Sequence, residues 1–391
     1  MEALFQATPF TGYVFPNETD IPWSLMIVIY PYITGLVAGA FTVATFYHVF
    51  GVTRFKPVAR FALLTSLSFM IFVPVPLLLH LGHPERALNV MLTPHLTSAF
   101  AAFGFFAAFY VILVTLEIWF SYREDIVAWA QEGKGLRGRF YRALTLGSYE
   151  ISATTRSYDA KWIKALAIVG IAGAHGLHGY VGFVFGSLKS REWWGSDLMP
   201  AIFLVSAIVS GISILIVLYL LISRFRQTPI DKTCLKGLAY MLWGFLIFAM
   251  VLEFLEFANI VYKGREGVET IMALVAGPIW FSVWVLQVGG SVAAFIILTY
   301  VIWRGTQDRQ LIIGVLVSAV LMLIAVLAMR WNVVIGGQEL SKTMHGLLYF
   351  YPPVLGREGL LATIIVFALP FGMLWVLTKL LPPWLPDPRH A

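Results

Sequence analysis

Charge is scarce in this chain: Asp, Glu, Lys and Arg make up 12% of its 391 residues, against about 25% in a soluble domain. Cysteine is scarcer still. A lone Cys234 excludes an internal disulfide and cannot supply the thiolates of an iron–sulfur cluster or a structural zinc site. Short-period repeats and low-complexity tracts are missing too, which excludes a solenoid or a disordered array. The positive residues fall in short loops and form no solvated basic arm, so the net charge of +6 carries no nucleic-acid signature. The N-terminal stretch "MEALFQATPFTGYVFPNETDIPW" has neither a basic start nor a cleavable apolar core, and is read as lacking a signal peptide.

What is abundant is apolar surface. Hydrophobic residues reach 59%, aromatic residues 15%, and mean hydropathy is +0.81. Repeated apolar stretches of about 20 or more residues each predict transmembrane helices. Nine are placed, at roughly 24–51, 58–81, 97–121, 161–186, 198–223, 233–262, 270–302, 309–331 and 358–381. The fold class expected is therefore an all-α polytopic membrane protein. Pro31, Pro74, Pro76, Pro278 and Pro370 fall inside these runs and predict kinks.

Lys and Arg assign the sides. The loops around residue 54, at 122–164, 224–236 and 304–309, and the C-terminus hold 19 of the 27. The positive-inside bias then puts them in the cytoplasm, with the N-terminus outside and the C-terminus inside. The connection 122–160, including "EGKGLRGRFYRALTLGSYE", is expected to lie as a basic amphipathic segment on the cytoplasmic surface.

Ionisable residues inside hydrocarbon are functional candidates by default. Here they crowd the outer half: His175, His178, Glu253 and Glu256 within helices, and His80 and His83 at a helix end. His178 and Glu253 each stand about eight residues short of the outer end, about 12 Å deep at 1.5 Å per residue, so one shared cavity is expected. His175 and His178 are spaced i,i+3 on one face, as are Glu253 and Glu256. Gly173, Gly176 and Gly179 are expected to admit a neighbouring helix or a flat ligand. Glu117 and His48 read as residues at the cytoplasmic edge. The stretch "MRWNVVIGGQELSKTMHGLLYFYPPVLGREGLL" reads as a folded outer loop, with Gly336 and Gly337 as its turn.

Two stretches carry a resemblance. "LGHPERALNVMLTPH", and "RWNVVIGGQ" followed by "GREGLL", resemble the NrfD or polysulfide-reductase membrane-subunit family, and "PWSLMIVIYPYITGLVAGA" looks like that family's first core helix. The likeness touches both ends of the chain and points to the longer members. It implies one membrane domain over 1–391 in the bacterial inner membrane. An outer segment 1–23 would precede a first four-helix bundle over 24–186, a second over 198–331, an outer loop 332–357 and an extra helix at 358–381. It also implies a quinone-reactive subunit without haem or iron–sulfur cluster of its own. Its implied partners are a four-cluster ferredoxin-like iron–sulfur subunit on the outer face and a molybdopterin-family subunit or a multihaem cytochrome c.

By this reading menaquinone or ubiquinone contacts Tyr30, His80, His83, Glu85, Arg86, His175, His178 and Arg330. His80, His178 and Glu253 handle protons, Arg86 and Arg330 stabilise negative charge, and Asn332, Gln338 and Arg357 lie on partner-docking loops. Many members have Asp where this chain has His80. A site confined to the outer side predicts weak or no proton pumping by this subunit alone. The competing classes are a haem-binding cytochrome b-type anchor, which needs further His at matching depth, and a secondary transporter, which needs paired interrupted helices.

Overall fold

Ser24 starts the first membrane helix: its side chain accepts the Met26 backbone N–H at 3.3 Å, satisfying a donor that a helix start leaves unpaired. The structure, a computed structural model, describes residues 10–95, 97–188, 190–264, 266–304 and 307–384. Residues 1–9 of the N-terminal segment lie outside them, as do Lys189, Arg265 and Arg389 among the basic residues counted for topology. Among the described residues nine helices are long and apolar enough to cross a membrane. They are α1 (Leu25–His48), α2 (Thr53–His80), α3 (Phe103–Glu132), α4 (Ala153–Gly186), α5 (Met199–Arg226), α6 (Lys232–Lys263), α7 (Phe281–Arg304), α8 (Asp308–Glu339) and α9 (Leu360–Leu380). The chain is an all-α, multi-pass integral membrane protein.

Helix α1 sits at the centre, its most apolar stretch wholly buried, and packs against α2, α4, α5 and α8. Helices α1–α4 pack as one group and α5–α8 as another, joined where α1 and α4 meet α5; α9 lies against α2. Without a hydrophobic force between helices in lipid, close approach depends on small residues. Gly39 and Gly211 supply it for α1 and α5, since a Cβ on Gly211 would stand 2.4 Å from Gly39 Cα. Of the glycines expected to admit a neighbour beside the His pair, Gly173 does so, a Cβ there standing 3.3 Å from the Phe109 ring of α3, but the other two do not. A Cβ on Gly176 or Gly179 would meet nothing within 4 Å, whereas one on Gly170 would stand 2.4 Å from the Phe41 ring.

Three expectations about helix limits are corrected. Residues 122–160 are not one loop: α3 continues to Glu132, a short helix covers Gly135–Leu144, and α4 begins at Ala153 behind a Ser152–Thr155 capping box. The charges that suggested a loop are buried in pairs, Arg60 with Asp125 and Arg123 with Asp159, both at 2.8 Å. The helix expected over 270–302 is interrupted. A short helix, Val268–Ala276, stops at Gly277 and Pro278, and α7 starts at Phe281. Proline disfavours helical backbone in the residue before it and donates no N–H, so the run breaks rather than bends. Finally α8 does not stop near residue 331 but winds through a π-helical stretch, Asn332–Gly336, to Glu339. Gly336 and Gly337 are helical rather than a turn.

The end of the molecule carrying the N-terminal segment is bound together by polar contacts. Strand β1 (Phe10–Tyr13) pairs antiparallel with β2 (His345–Leu348), Phe10 opposite Leu348 and Tyr13 opposite His345. Behind this strand face, Glu18 meets Arg191 at 2.9 Å with both side chains buried, and Arg191 also donates to the Gln338 and Leu340 carbonyls. Burial pulls the Arg191 guanidinium below its usual pKa while Glu18 opposes that pull. Trp23 stacks on Trp194 at 4.9 Å, and Trp194 donates to the Val333 carbonyl at 2.5 Å.

Candidate functional site

Arg330 is the largest side chain among those wholly buried. It is the penultimate residue of the regular part of α8, Asp308–Trp331, and reaches across to α4 and α5. Its Nη2 donates to Ser206 Oγ at 2.8 Å, to the Phe203 carbonyl at 3.3 Å and to His178 Nε2 at 3.2 Å, and its guanidinium lies 3.9 Å over the Phe203 ring. No carboxylate of the described residues pairs with it. A guanidinium only donates, so His178 Nε2 accepts, and the neutral ring carries its proton on Nδ1. That Nδ1, Arg330 Nε and the hydroxyl of nearby Tyr30 are buried without a hydrogen-bond partner among the described residues. Tyr30 is 2% exposed, its ring edge-on to Phe103 at 5.5 Å. Three donors from α1, α4 and α8 thus stay unused inside the protein, each a desolvation cost of about 1–3 kcal/mol.

Glu253 belongs to a second cluster. A cavity of about 460 Å3 lies among α5, α6, α7 and α8, lined mainly by apolar side chains such as Met250, Phe257, Trp284 and Val288, with Glu253, Glu256, Gln287 and Asn332 in its wall. Hydrogen bonds run one way along it. Ser282 donates to Asn332 Oδ1, Asn332 Nδ2 to Gln287 Oε1 at 2.7 Å, and Gln287 Nε2 to Glu253 Oε2 at 2.9 Å. Asn332 and Gln287 both sit in π-helical stretches, Asn332–Gly336 and Phe281–Gly289, and such widened turns recur at functional sites. Glu256 accepts from Ser196 at 2.5 Å.

The expectation of one cavity shared by His178 and Glu253 is therefore not met. The two carboxylates share the cavity; the two His do not line it. His175 lies 3.4 Å from Thr42 on α1. Residues 329 and 330 explain the division, since Met329 faces the cavity and Arg330 faces His178.

The loop after α2 stays apart from both clusters. His80 Nδ1 pairs with Glu358 at 2.9 Å, joining the end of α2 to the start of α9. Burial raises the Glu358 pKa, but hydrogen bonds from Ser24 and His80, with the charges of His80 and Arg357, outweigh it and hold the carboxyl below its usual range. His83 pairs with Glu85 at 2.9 Å and Arg86 lies 4.0 Å from the same carboxylate, all three largely exposed. Of the residues expected on docking loops, Arg357 is half exposed, but Asn332 and Gln338 are buried in α8, where Gln338 binds the backbone of Trp23. Glu117 is another correction. Because α3 runs on to Glu132, Glu117 lies mid-helix, wholly buried, with both oxygens lacking a hydrogen-bond partner among the described residues. Gln287 and Ser206 were missed in the sequence, although Gln287 is the lone amide of the run "FSVWVLQVGGSVAAFIIL".

Residues 14–341 match the family described as polysulphide reductase, NrfD. The chain is 31% identical over 349 residues to the C subunit of the selenate reductase of Mesobacillus selenatarsenatis, covering 85% of this chain and 79% of that protein. It is 27% identical to a putative dimethyl sulfoxide reductase membrane subunit of Halobacterium salinarum, over 73% of this chain and 63% of the relative. An Hdr-like menaquinol oxidoreductase integral membrane subunit of Archaeoglobus fulgidus is 22% identical over 90% of this chain and 84% of its own length.

Proposed function

This chain belongs to the NrfD polysulphide reductase family, and on that premise we propose that it is the quinone-linked membrane subunit of a multi-subunit oxidoreductase. The observation that carries the reading is Arg330, a fixed cation enclosed in a membrane interior with no carboxylate of the described residues paired to it. Such a charge is costly in hydrocarbon, and a role in steadying negative charge on a bound ring accounts for its being kept. A quinone supplies two-electron, two-proton chemistry when bound. The residues fit that group: Tyr30 Oη, His178 Nδ1 and Arg330 Nε are buried donors without partners among the described residues, suited to carbonyl oxygens, and Phe103 and Phe203 offer flat apolar walls.

Within this reading Arg330 holds His178 in the Nδ1–H tautomer, so that the free N–H faces away from the guanidinium. Tyr30 offers a hydroxyl from α1, and His80 with Glu358 closes the strand face above. The strand face is the outer one, because the opposite face carries most of the Lys and Arg, and the membrane is a bacterial cytoplasmic membrane. Electrons pass through an iron–sulfur partner docked on that face, beside a molybdopterin-family subunit or a multihaem cytochrome c. The names of the selenate and dimethyl sulfoxide reductase relatives, and of the menaquinol oxidoreductase relative, support this class of assembly.

The test is turnover of the assembled complex with a quinol and with a soluble redox dye. His178→Ala is expected to lower quinol-linked turnover at least tenfold while dye-linked turnover of the partner subunits stays unchanged. Full quinol-linked turnover in both His178→Ala and Arg330→Gln would overturn the reading.

A further inference from the structure

The cavity between α6 and α7 lies beside the His178–Arg330 cluster, α8 presenting Met329 to the one and Arg330 to the other, and the proposal above makes no use of it. We propose that it is a separate binding site for an isoprenoid quinol taken from the lipid phase, with the unpaired oxygen of Glu253 accepting the ring hydroxyl. This rests on the quinone-linked reading and adds a second site to it.

Four observations converge. The cavity opens sideways. Near the face opposite the strands α6 and α7 are pinned together, Trp243 stacking on Phe295 at 6.2 Å and donating to Thr299 at 2.9 Å. Toward the strand face the two helices part around the cavity, and Phe254, 69% exposed, and Trp284, 40% exposed, flank it on the surface that faces lipid. A ligand would reach it from the membrane without crossing the protein.

Its volume of about 460 Å3 falls in the usual range for small-molecule sites, about 300–1,000 Å3. Phe257 and Trp284 meet edge to face at 6.1 Å and give the walls the planar apolar surface that an aromatic ring packs against.

The polar edge is built for a donor. Ser282, Asn332 and Gln287 pass hydrogen bonds in one direction, all toward Glu253, and end on its Oε2. The other oxygen of Glu253 has no hydrogen bond among the described residues, and Glu253 lines the cavity. A hydroxyl group complements that oxygen, and the amide chain fixes it in place.

Charge selects among amphiphiles. The lining holds two carboxylates, Glu253 and Glu256, and no Lys, Arg or His among the described residues. A phosphate headgroup would face repulsion without a cation to offset it, whereas a neutral dihydroxy ring would not.

The full chain in lipid nanodiscs, exposed to a photoreactive azido-naphthoquinol with a short isoprenyl tail, tests this. Labelled peptides are expected within Lys232–Lys263 and Phe281–Arg304. Val288→Trp, which fills the cavity from its lipid side, is expected to cut that labelling at least tenfold, and Glu253→Leu to weaken the half-saturating concentration at least fivefold. Gel filtration and tryptophan fluorescence check that both variants fold. Labelling confined to α1 and α4 peptides would overturn the second site and leave the quinone-linked reading standing. So would cavity labelling insensitive to Val288→Trp, or displaced equally well by a phosphatidylglycerol of matching tail length. No labelling anywhere would overturn both.

Discussion

Arg330 Nη2 stands 3.2 Å from His178 Nε2, joining α8 to α4 across the seam between the two helix groups. The two N–H groups of that nitrogen are shared among three acceptors, His178 Nε2, Ser206 Oγ and the Phe203 carbonyl, and the planar guanidinium holds its donors in a fixed fork. A lysine carries the charge but not the fork. Arg330→Lys is expected to lose the His178 contact and at least tenfold in quinol-linked turnover. Nitrogen NMR of labelled histidine should find His178 as the Nδ1–H tautomer in the parent and a tautomer mixture in the variant.

Gly337 is where Trp194 passes α8. A Cβ there would stand 2.0 Å from the indole Nε1, the atom that donates to the Val333 carbonyl. Gly337→Ala must displace the indole, lose that bond and disturb the Trp23–Trp194 stack. Overpacking of this kind costs about 1–3 kcal/mol. A lower thermal midpoint with a shifted tryptophan emission is the expected result, and unchanged emission would count against it.

Arg123 and Asp159 pair at 2.8 Å with side chains 8% and 3% exposed. Removing one member of a buried pair leaves a bare charge and costs about 3–5 kcal/mol, while replacing both with apolar groups is often close to neutral. Asp159→Ala should therefore lower the unfolding midpoint more than the double variant Arg123→Leu with Asp159→Leu. Equal losses would show that the pair contributes nothing beyond packing.

Glu358 makes the join between α2 and α9 sensitive to acid. Its carboxyl is held below the ordinary value of 4.5 in the folded chain, where hydrogen bonds and positive neighbours outweigh burial. A depressed carboxylate stabilises the fold fully above the unfolded value and ceases to do so as pH falls through the folded one. Stability should accordingly fall with pH below about 4.5, and Glu358→Gln should flatten that acid limb. Thermal unfolding in detergent across pH 3 to 7, a range set by the ordinary carboxylate pKa of roughly 4, measures it.

Glu117 has both oxygens buried without hydrogen-bond partners among the described residues. An unpaired buried polar group costs about 1–3 kcal/mol. Glu117→Leu is expected to raise the thermal midpoint; a fall would mean that the carboxyl has a stabilising partner.

The number and rough place of the nine spans, and the seam of titratable residues at one end, were legible in the sequence. Hydrocarbon demands about 20 apolar residues per crossing and tolerates few charges, so both features are written along the chain. Helix limits were less legible where charge was misleading. Arg123 and Glu124 look like loop residues until Asp159 and Arg156 arrive from another helix to pair with them.

What the linear order determines by itself is therefore the membrane class, the set of apolar spans and the stock of ionisable side chains near one face. What tertiary structure alone decides is which of these side chains meet. His178 and Glu253 share a depth but not a cavity, because consecutive residues of a helix point about 100° apart and α8 turns Met329 to one cluster and Arg330 to the other. The amide chain through Gln287 and Asn332 depends likewise on two π-helical stretches in separate helices, a registration that no local sequence pattern encodes.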